Sequence, residues 1–301
     1  YAASQEAEYI IFCGVHFMAE TADILTKDTQ KVILPNMKAG CSMADMASTE
    51  DVLDCWSDLS EVITDETVVP ITYMNSTADI KALCGRNNGI VCTSSNAVKA
   101  FQWALTQGSK ILFFPDQHLG RNTALKLGFS EEDMLVWNPF ALMGGHTAEE
   151  LKASKIILWK GHCSVHTRFT VKQIEVARNL HPDVQVVVHP ECPKETVQSA
   201  DFDGSTESII GMVNKSPAGS VWAIGTEINL VHRLAKENPD KKVFCLDPVV
   251  CPCSTMYRIH PAYVLWALES ILYNNPVNII TVPTQDKLNA RMALDRMLLL
   301  Q

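Results

Sequence analysis

No run of apolar residues in this chain is long enough to cross a bilayer. The best candidate, Tyr263 to Tyr273, is interrupted by Glu269 and falls well short of the roughly 20 residues that a spanning helix requires. An export signal is missing too, because Tyr1 to Glu8 has neither a basic start nor an apolar stretch. Basic residues are scarce, 25 Lys and Arg against 34 Asp and Glu for a net charge of −9. That balance argues against nucleic acid or an anionic membrane as partner, although a small anionic substrate answers to the local field of its site. No GxGxxG and no P-loop pattern follows an apolar run, which argues against a Rossmann dinucleotide site or an NTPase. HExxH and GxSxG are also absent.

What is present is ordinary for a globular protein, 47% apolar and 20% charged over 301 residues, enough for two or three domains. Cysteine is the exception, with 10 residues. With no export signal, these thiols are expected in a reducing cytoplasm, as metal ligands or core packing rather than as disulfides. The chain opens with Tyr1 rather than Met, so a preceding piece is expected to have been cut away.

Short apolar runs recur, each closed by Gly, Pro, Asn, Ser or Asp and most followed by a helical pattern. They start at Ile10, Lys31, Val68, Ile90, Ile111, Ile156, Val184, Phe202, Val221 and Val243. Such runs, separated by helix-length segments, predict parallel βαβ architecture. Grouped, they form a repeat of strand-plus-loop units. The unit from Val68 has four strands and ends at Cys163, and that from Val184 has four and ends at Cys253. The first unit has two and ends at Cys41, so it is expected to lack an opening strand–helix–strand of roughly 30 residues or more. Asn138 to Ser154 reads as a loop and a capped short helix. Ala262 to Leu272 and Gln285 to Leu300 read as helices, the last with Met292, Leu294, Met297 and Leu298 on its apolar face.

Chemistry should collect at the strand exits, where α/β folds bind ligands. Cys41, Cys163 and one of Cys251 or Cys253 could close three positions of a tetrahedral site, leaving one open. Thiolates of this kind suit an iron–sulfur cluster or zinc, and the open position suits a Lewis acid. Cys13, Cys84, Cys92 and Cys245 lie in or beside apolar runs and are expected to be packing, and Cys55 falls in a helical pattern beside Trp56. His189-Pro190-Glu191 follows a strongly apolar run and offers an acid–base pair. Asn75, Ser94, Ser205 and Thr206 stand at strand exits, several before helices, where hydroxyl groups suit carboxylate or phosphate or ordinary capping.

Several segments carry a resemblance: Gly14-Val15-His16-Phe17-Met18-Ala19-Glu20, the Cys41 loop, Tyr73-Met74-Asn75-Ser76-Thr77, and Cys92 to Val98. After them come Pro115-Asp116, Gly161-His162-Cys163, His189 to Pro193, Gly204-Ser205-Thr206 and Gly225-Thr226-Glu227. In this order, over nearly the whole chain, they resemble the quinolinate synthase family, the type A iron–sulfur enzymes of bacterial and plastid NAD synthesis. The resemblance implies three pseudo-threefold-related α/β/α domains with parallel sheets around a central active site. The expected boundaries are 1–66 plus 262–301, 67–166 and 167–261. It implies a cytoplasmic transferase that condenses iminoaspartate with dihydroxyacetone phosphate to quinolinate, releasing phosphate and water. A functional link to an L-aspartate-oxidising enzyme goes with that.

By motif, the resemblance makes Cys41, Cys163 and Cys253 the ligands of one [4Fe–4S] cluster per chain, Cys253 because it stands three residues before Met256. It makes Glu191, Tyr73 and His189 catalytic, and gives substrate binding to Asn75, Ser94, His166, Ser205 and Thr206. The family's opening strand, with a His and a Tyr used in catalysis, and a substrate-binding Ser loop have no counterpart here. The chain as it stands is therefore expected to be catalytically silent. A Cys-ligated zinc hydrolase and a non-catalytic metal-binding module are the competing expectations.

Overall fold

Strands apolar on both faces and joined by helix-length crossovers can only be buried in parallel sheets covered by helices. The computed structural model of the protein describes residues 2–249 and 252–300. Its first sheet pairs β1 (Tyr9–Ile11) with β2 (Lys31–Ile33), and α1 (His16–Leu25) is the crossover. The second contains β3 (Val68–Tyr73), β4 (Ile90–Cys92), β5 (Lys110–Phe114), β6 (Met134–Trp137) and β7 (Ile156–Trp159), in the order β4-β3-β5-β7-β6. The third contains β8 (Gln185–Val188), β9 (Phe202–Asp203), β10 (Val221–Gly225) and β11 (Lys242–Cys245), in the order β11-β10-β8-β9. All these ladders are parallel.

The layers follow from the twofold side-chain alternation of a strand. On β5, Ile111 and Phe113 pack with α3 (Ala78–Arg86), α4 (Ala97–Gln107) and α5 (Gln117–Lys126). Leu112 and Phe114 face the other way, onto α2 (Thr49–Val62) and α6 (Ala148–Ala153). In the third sheet, Val186 and Val188 pack with α7 (Val171–Leu180), near α8 (Lys194–Ser199). Val187 and Ile224 pack with α9 (Thr206–Lys215) and α10 (Ile228–Glu237). This is a three-layer α/β/α architecture. Among the described residues, no helix is long and apolar enough to cross a membrane.

Several details differ from the sequence reading. β6 has no counterpart among the apolar runs, because Met-Leu-Val-Trp is short and, as an edge strand, it buries only its end residues. Cys13 is exposed rather than packed, since it lies just past β1. The terminal helices are α11 (Pro261–Leu272) and α12 (Thr284–Leu299). On α12 the buried face is Ala290, Ala293, Leu294 and Met297, whereas Met292 and Leu298 point outward. Small residues are needed because α12 lies against α3 so closely that a Cβ on Gly85 would sit 1.7 Å from the Asn289 carbonyl oxygen. Arg296 locks the contact by donating to the carbonyls of Gly85 and Gly89.

That approach generates a paired prediction. Gly85→Ala should destabilise by roughly 1–3 kcal/mol, because backbone must move to admit the methyl. In Gly211→Ala, also within a helix but with open space around it, the methyl should stabilise by about 0.5–1 kcal/mol. Denaturant unfolding of the two variants checks the opposite signs.

Candidate active site

Cys41, Cys163 and Cys253 open loops of one design. In each, the Cys carbonyl accepts the amide of the residue four positions on (Asp45, Thr167 and Tyr257, at 3.1, 3.1 and 3.0 Å). A 3-10 turn begins three residues after each Cys, at Ala44, His166 and Met256, and an α-helix begins eight after it, at Thr49, Val171 and Pro261. Ser48, Thr170 and His260 cap those helices with side-chain acceptors, satisfying amides that a helix start leaves free. Cys251 lies outside the described residues; by sequence it stands five before Met256, out of step with the other two loops.

The thiol surroundings suit metal-bound thiolate. Burial pushes Cys41 up to about 11, although the Ala44 and Met43 amides point at its sulfur; the Glu191 and Cys253 charges add to the rise. Burial and then the Glu191 charge raise Cys163, against amides from His166 and Val165. Left alone, both sulfurs keep their protons; a bound cation would reverse that, with the amides already aimed at the thiolate. The Cys253 sulfur lies 3.3 Å from the Thr255 hydroxyl, and its amide donates to Glu227 at 3.2 Å. The donor chemistry around Cys41 and Cys163 therefore suits thiolates bound to a metal or a cluster. Ligand atoms of Cys163, His166 and Glu191 also lie within 4.8 Å of one another, a candidate metal site beside the same loop.

Glu191 is the centre of the polar network. It is 3% exposed, and its carboxylate accepts from the Tyr73 hydroxyl at 2.7 Å and contacts His166 Nδ1 at 2.9 Å. His166 Nε2 meets the Thr226 hydroxyl at 3.2 Å, and the ring stacks on His189 with centroids 4.4 Å apart. His189 Nδ1 accepts the Glu191 amide at 3.3 Å. Burial works to raise Glu191, but the facing His166 and His189 rings and the two hydrogen bonds outweigh it and hold the acid down at about 2. Burial, then the His166 charge, lowers His189 to about 3. Burial, then the Glu191 charge, raises Tyr73 well above the usual phenol range. The site thus presents a fixed carboxylate, a neutral imidazole and a protonated phenol.

The remaining sequence candidates lie around this centre. Ser94 reaches the Tyr73 hydroxyl and, with Ser205 and Lys126, lines a cavity of about 680 Å³ between the second and third sheets. Ser205 caps α9, which Thr206 opens from an exposed position. Asn75 is half-buried in the loop after β3. Three further buried residues belong to the site's surroundings. Thr226 touches His166, and its place at a strand exit was the available signal. Asn122, inside α5, donates to the carbonyls of Pro190 and Cys192 at 2.8 and 2.9 Å and clamps the Glu191 loop; nothing in the sequence marks it. Asp116 is fully buried and caps α5 through one oxygen, and the Cys163 amide also bears on its carboxylate; it belongs to the Pro115-Asp116 motif.

Comparison with known proteins gives one answer. The family model described as quinolinate synthetase A protein matches residues 1–299. The chain is 57% identical to a quinolinate synthase of Corynebacterium glutamicum, over 97% of this chain and 74% of that protein. It is 55% identical to quinolinate synthases of Streptomyces coelicolor (99% and 77% covered) and of a Geobacillus species (99% and 81%). These relatives bear the name of neither a zinc hydrolase nor a binding module.

The paired depressions set an acid response. His189 falls from 6.5 to about 3 on folding, so below pH 6.5 the unfolded chain takes up a proton that the folded one refuses. Glu191 falls from 4.5 to about 2, so its contribution is present above pH 4.5 and is lost as pH drops toward 2. Both make unfolding easier in acid. Urea unfolding between pH 7 and pH 4 should show stability declining, and His189→Gln should flatten the part above pH 4.5. An unchanged slope in that variant would contradict the assignment.

Proposed function

The chain belongs to the quinolinate synthase family, enzymes of NAD biosynthesis, and from that premise we propose that its central site condenses iminoaspartate with dihydroxyacetone phosphate to quinolinate. The observation that carries the reading is Glu191, an ionised carboxylate reached by Tyr73 and His166 beside the Cys163 loop. Cys41, Cys163 and Cys253 would hold one [4Fe–4S] cluster, supported by the shared geometry of their loops. When bound, the cluster supplies an open iron that acts as a Lewis acid toward a substrate oxygen or nitrogen.

This chain's own groups supply the parts that follow; the His and Tyr that the resemblance expects on a further strand are not among them, so turnover is assayed in the full-length enzyme. Glu191 moves protons: its carboxylate is accessible to a substrate proton once the Tyr73 hydroxyl swings its bond to the substrate. Tyr73, kept as a phenol, donates to developing negative charge. His189, kept neutral, and His166 orient the carboxylate. Ser94, Ser205, Thr206 and Asn75 hold the carboxylates and phosphate of the substrates, with the amides at the start of α9 favouring negative charge. In this reading the chain comprises units 1–66 plus 262–301, 67–166 and 167–261, with α12 fastening the first to α3 of the second. It works in the cytoplasm, where thiols stay reduced, and depends on an L-aspartate-oxidising enzyme for its imine.

Two experiments test this. Cys41→Ser, Cys163→Ser and Cys253→Ser should each abolish the broad visible absorption of the anaerobically purified protein, whereas Cys13→Ser and Cys92→Ser should keep it. Retention in Cys253→Ser with loss in Cys251→Ser would move the third ligand. Separately, in the full-length enzyme, Glu191→Gln preserves shape and removes the proton acceptor, so turnover should fall on the order of 10²-fold or more at unchanged iron content. Near-normal turnover would leave Glu191 a positioning role only.

A further inference from the structure

Lys81 is fully buried at 0% exposure and is among the largest side chains hidden in the protein. Lysine is almost never enclosed in this way without a partner. Its Nζ donates to the carbonyl of Ser76 and lies 5.5 Å from the Phe17 ring centroid. The nearby charges are Glu20 from α1, and Asp79 and Cys84 from its own helix. Glu20 in turn accepts the Ala78 amide at 3.1 Å and faces His16 at 3.6 Å. Two side chains from two helices therefore grip the same short segment, the link between β3 and α3.

That segment follows Tyr73, the last residue of β3. The Ser76 hydroxyl donates to the Tyr73 carbonyl at 2.9 Å, the Ser76 amide donates to the Met74 carbonyl at 2.9 Å, and the Met74 amide donates to the Cys92 carbonyl at 2.8 Å. The amides that follow in α3 go elsewhere, Ile80 to the Asp79 carboxylate and Lys81 to the Thr77 carbonyl. The Ser76 carbonyl thus takes its bond from Lys81 Nζ. Packing alone does not call for an ammonium here, because an apolar side chain of similar volume fills a core without the cost of desolvating a charge. What an ammonium adds is a directed bond at the end of a long side chain.

We propose that Lys81, set beside Glu20, is a positioning residue for the reaction: through Ser76 it fixes the loop after β3 and so sets where the Tyr73 hydroxyl meets Glu191. The proposal rests on the synthase reading for its chemistry, and on the contacts above for its geometry. Lys81 is wholly enclosed and bonds to the Ser76 carbonyl, so it acts at one remove, through the loop.

The test compares Lys81→Met, which fills the space without a donor, with Lys81→Gln, which keeps one. Both are made in the cluster-loaded full-length enzyme, whose unmutated form serves as the control for the synthase reading itself. Quinolinate formation by that control keeps the reading standing whatever the variants do. In Lys81→Met, kcat should fall on the order of tenfold or more, since small misplacements of a catalytic group are costly. KM should move far less, and cluster absorption should be unchanged. Amide exchange of residues 74–78 should quicken while the sheet cores keep their protection. Lys81→Gln should recover part of both losses. Wild-type kcat or unaltered loop exchange in Lys81→Met overturns the proposal, as does a uniform loss of protection with kcat per folded molecule intact. If Lys81→Met fails to fold, Lys81→Gln decides: wild-type kcat and loop exchange overturn the proposal, and a partial loss of both supports it.

Discussion

Glu191 is 3% exposed and ionised, and a carboxylate in that position has to find donors on every side or take up a proton. Its donors come from separate parts of the chain. Tyr73 arrives from the exit of β3, His166 from the turn after Cys163, and the backbone of the Glu191 loop is clamped by Asn122 from α5. The second and third sheets must therefore present their strand exits to each other. A charge that could not be buried by one sheet is buried by two, and the polar cavity lies where they meet.

The thiols pose the converse problem. Cys41 and Cys163 are raised by burial and by the Glu191 charge, yet backbone amides point at their sulfurs. Amides directed at a group that keeps its proton serve no purpose in the protein alone. They do serve a thiolate bound to metal. The same turn recurs at Cys253 with identical offsets to its 3-10 turn and helix, so the three loops form one device used three times. The carboxylate and the thiol loops constrain each other, because His166 belongs both to the Cys163 turn and to the Glu191 network.

Much of this was legible in the chain. Among the described residues, ten of the eleven strands coincide with short apolar runs, since a doubly covered strand has no polar face to disguise it. The edge strand β6 was illegible for the opposite reason. Cys41, Cys163, His189 and Glu191 could be picked out as candidates because each stands shortly after an apolar run, at a strand exit. Thr226 and Asn122 could not be ranked this way: a threonine after a glycine, or an asparagine within a helix, has many ordinary uses. The offset of eight from each Cys to its helix is visible in sequence only once the helix starts are known. Similarly, Met292 and Leu298 suggested the wrong face of α12, because the close approach to Gly85 selects alanines.

The most direct test of the account is to strip the purified full-length enzyme of metal with a chelator under anaerobic conditions and assay quinolinate before and after rebuilding. The account predicts that formation stops on removal, returns on reconstitution with iron and sulfide, and does not return with zinc. Quinolinate formation by the stripped protein, or its restoration by zinc alone, would contradict a site in which three thiolates hold an iron–sulfur Lewis acid beside Glu191.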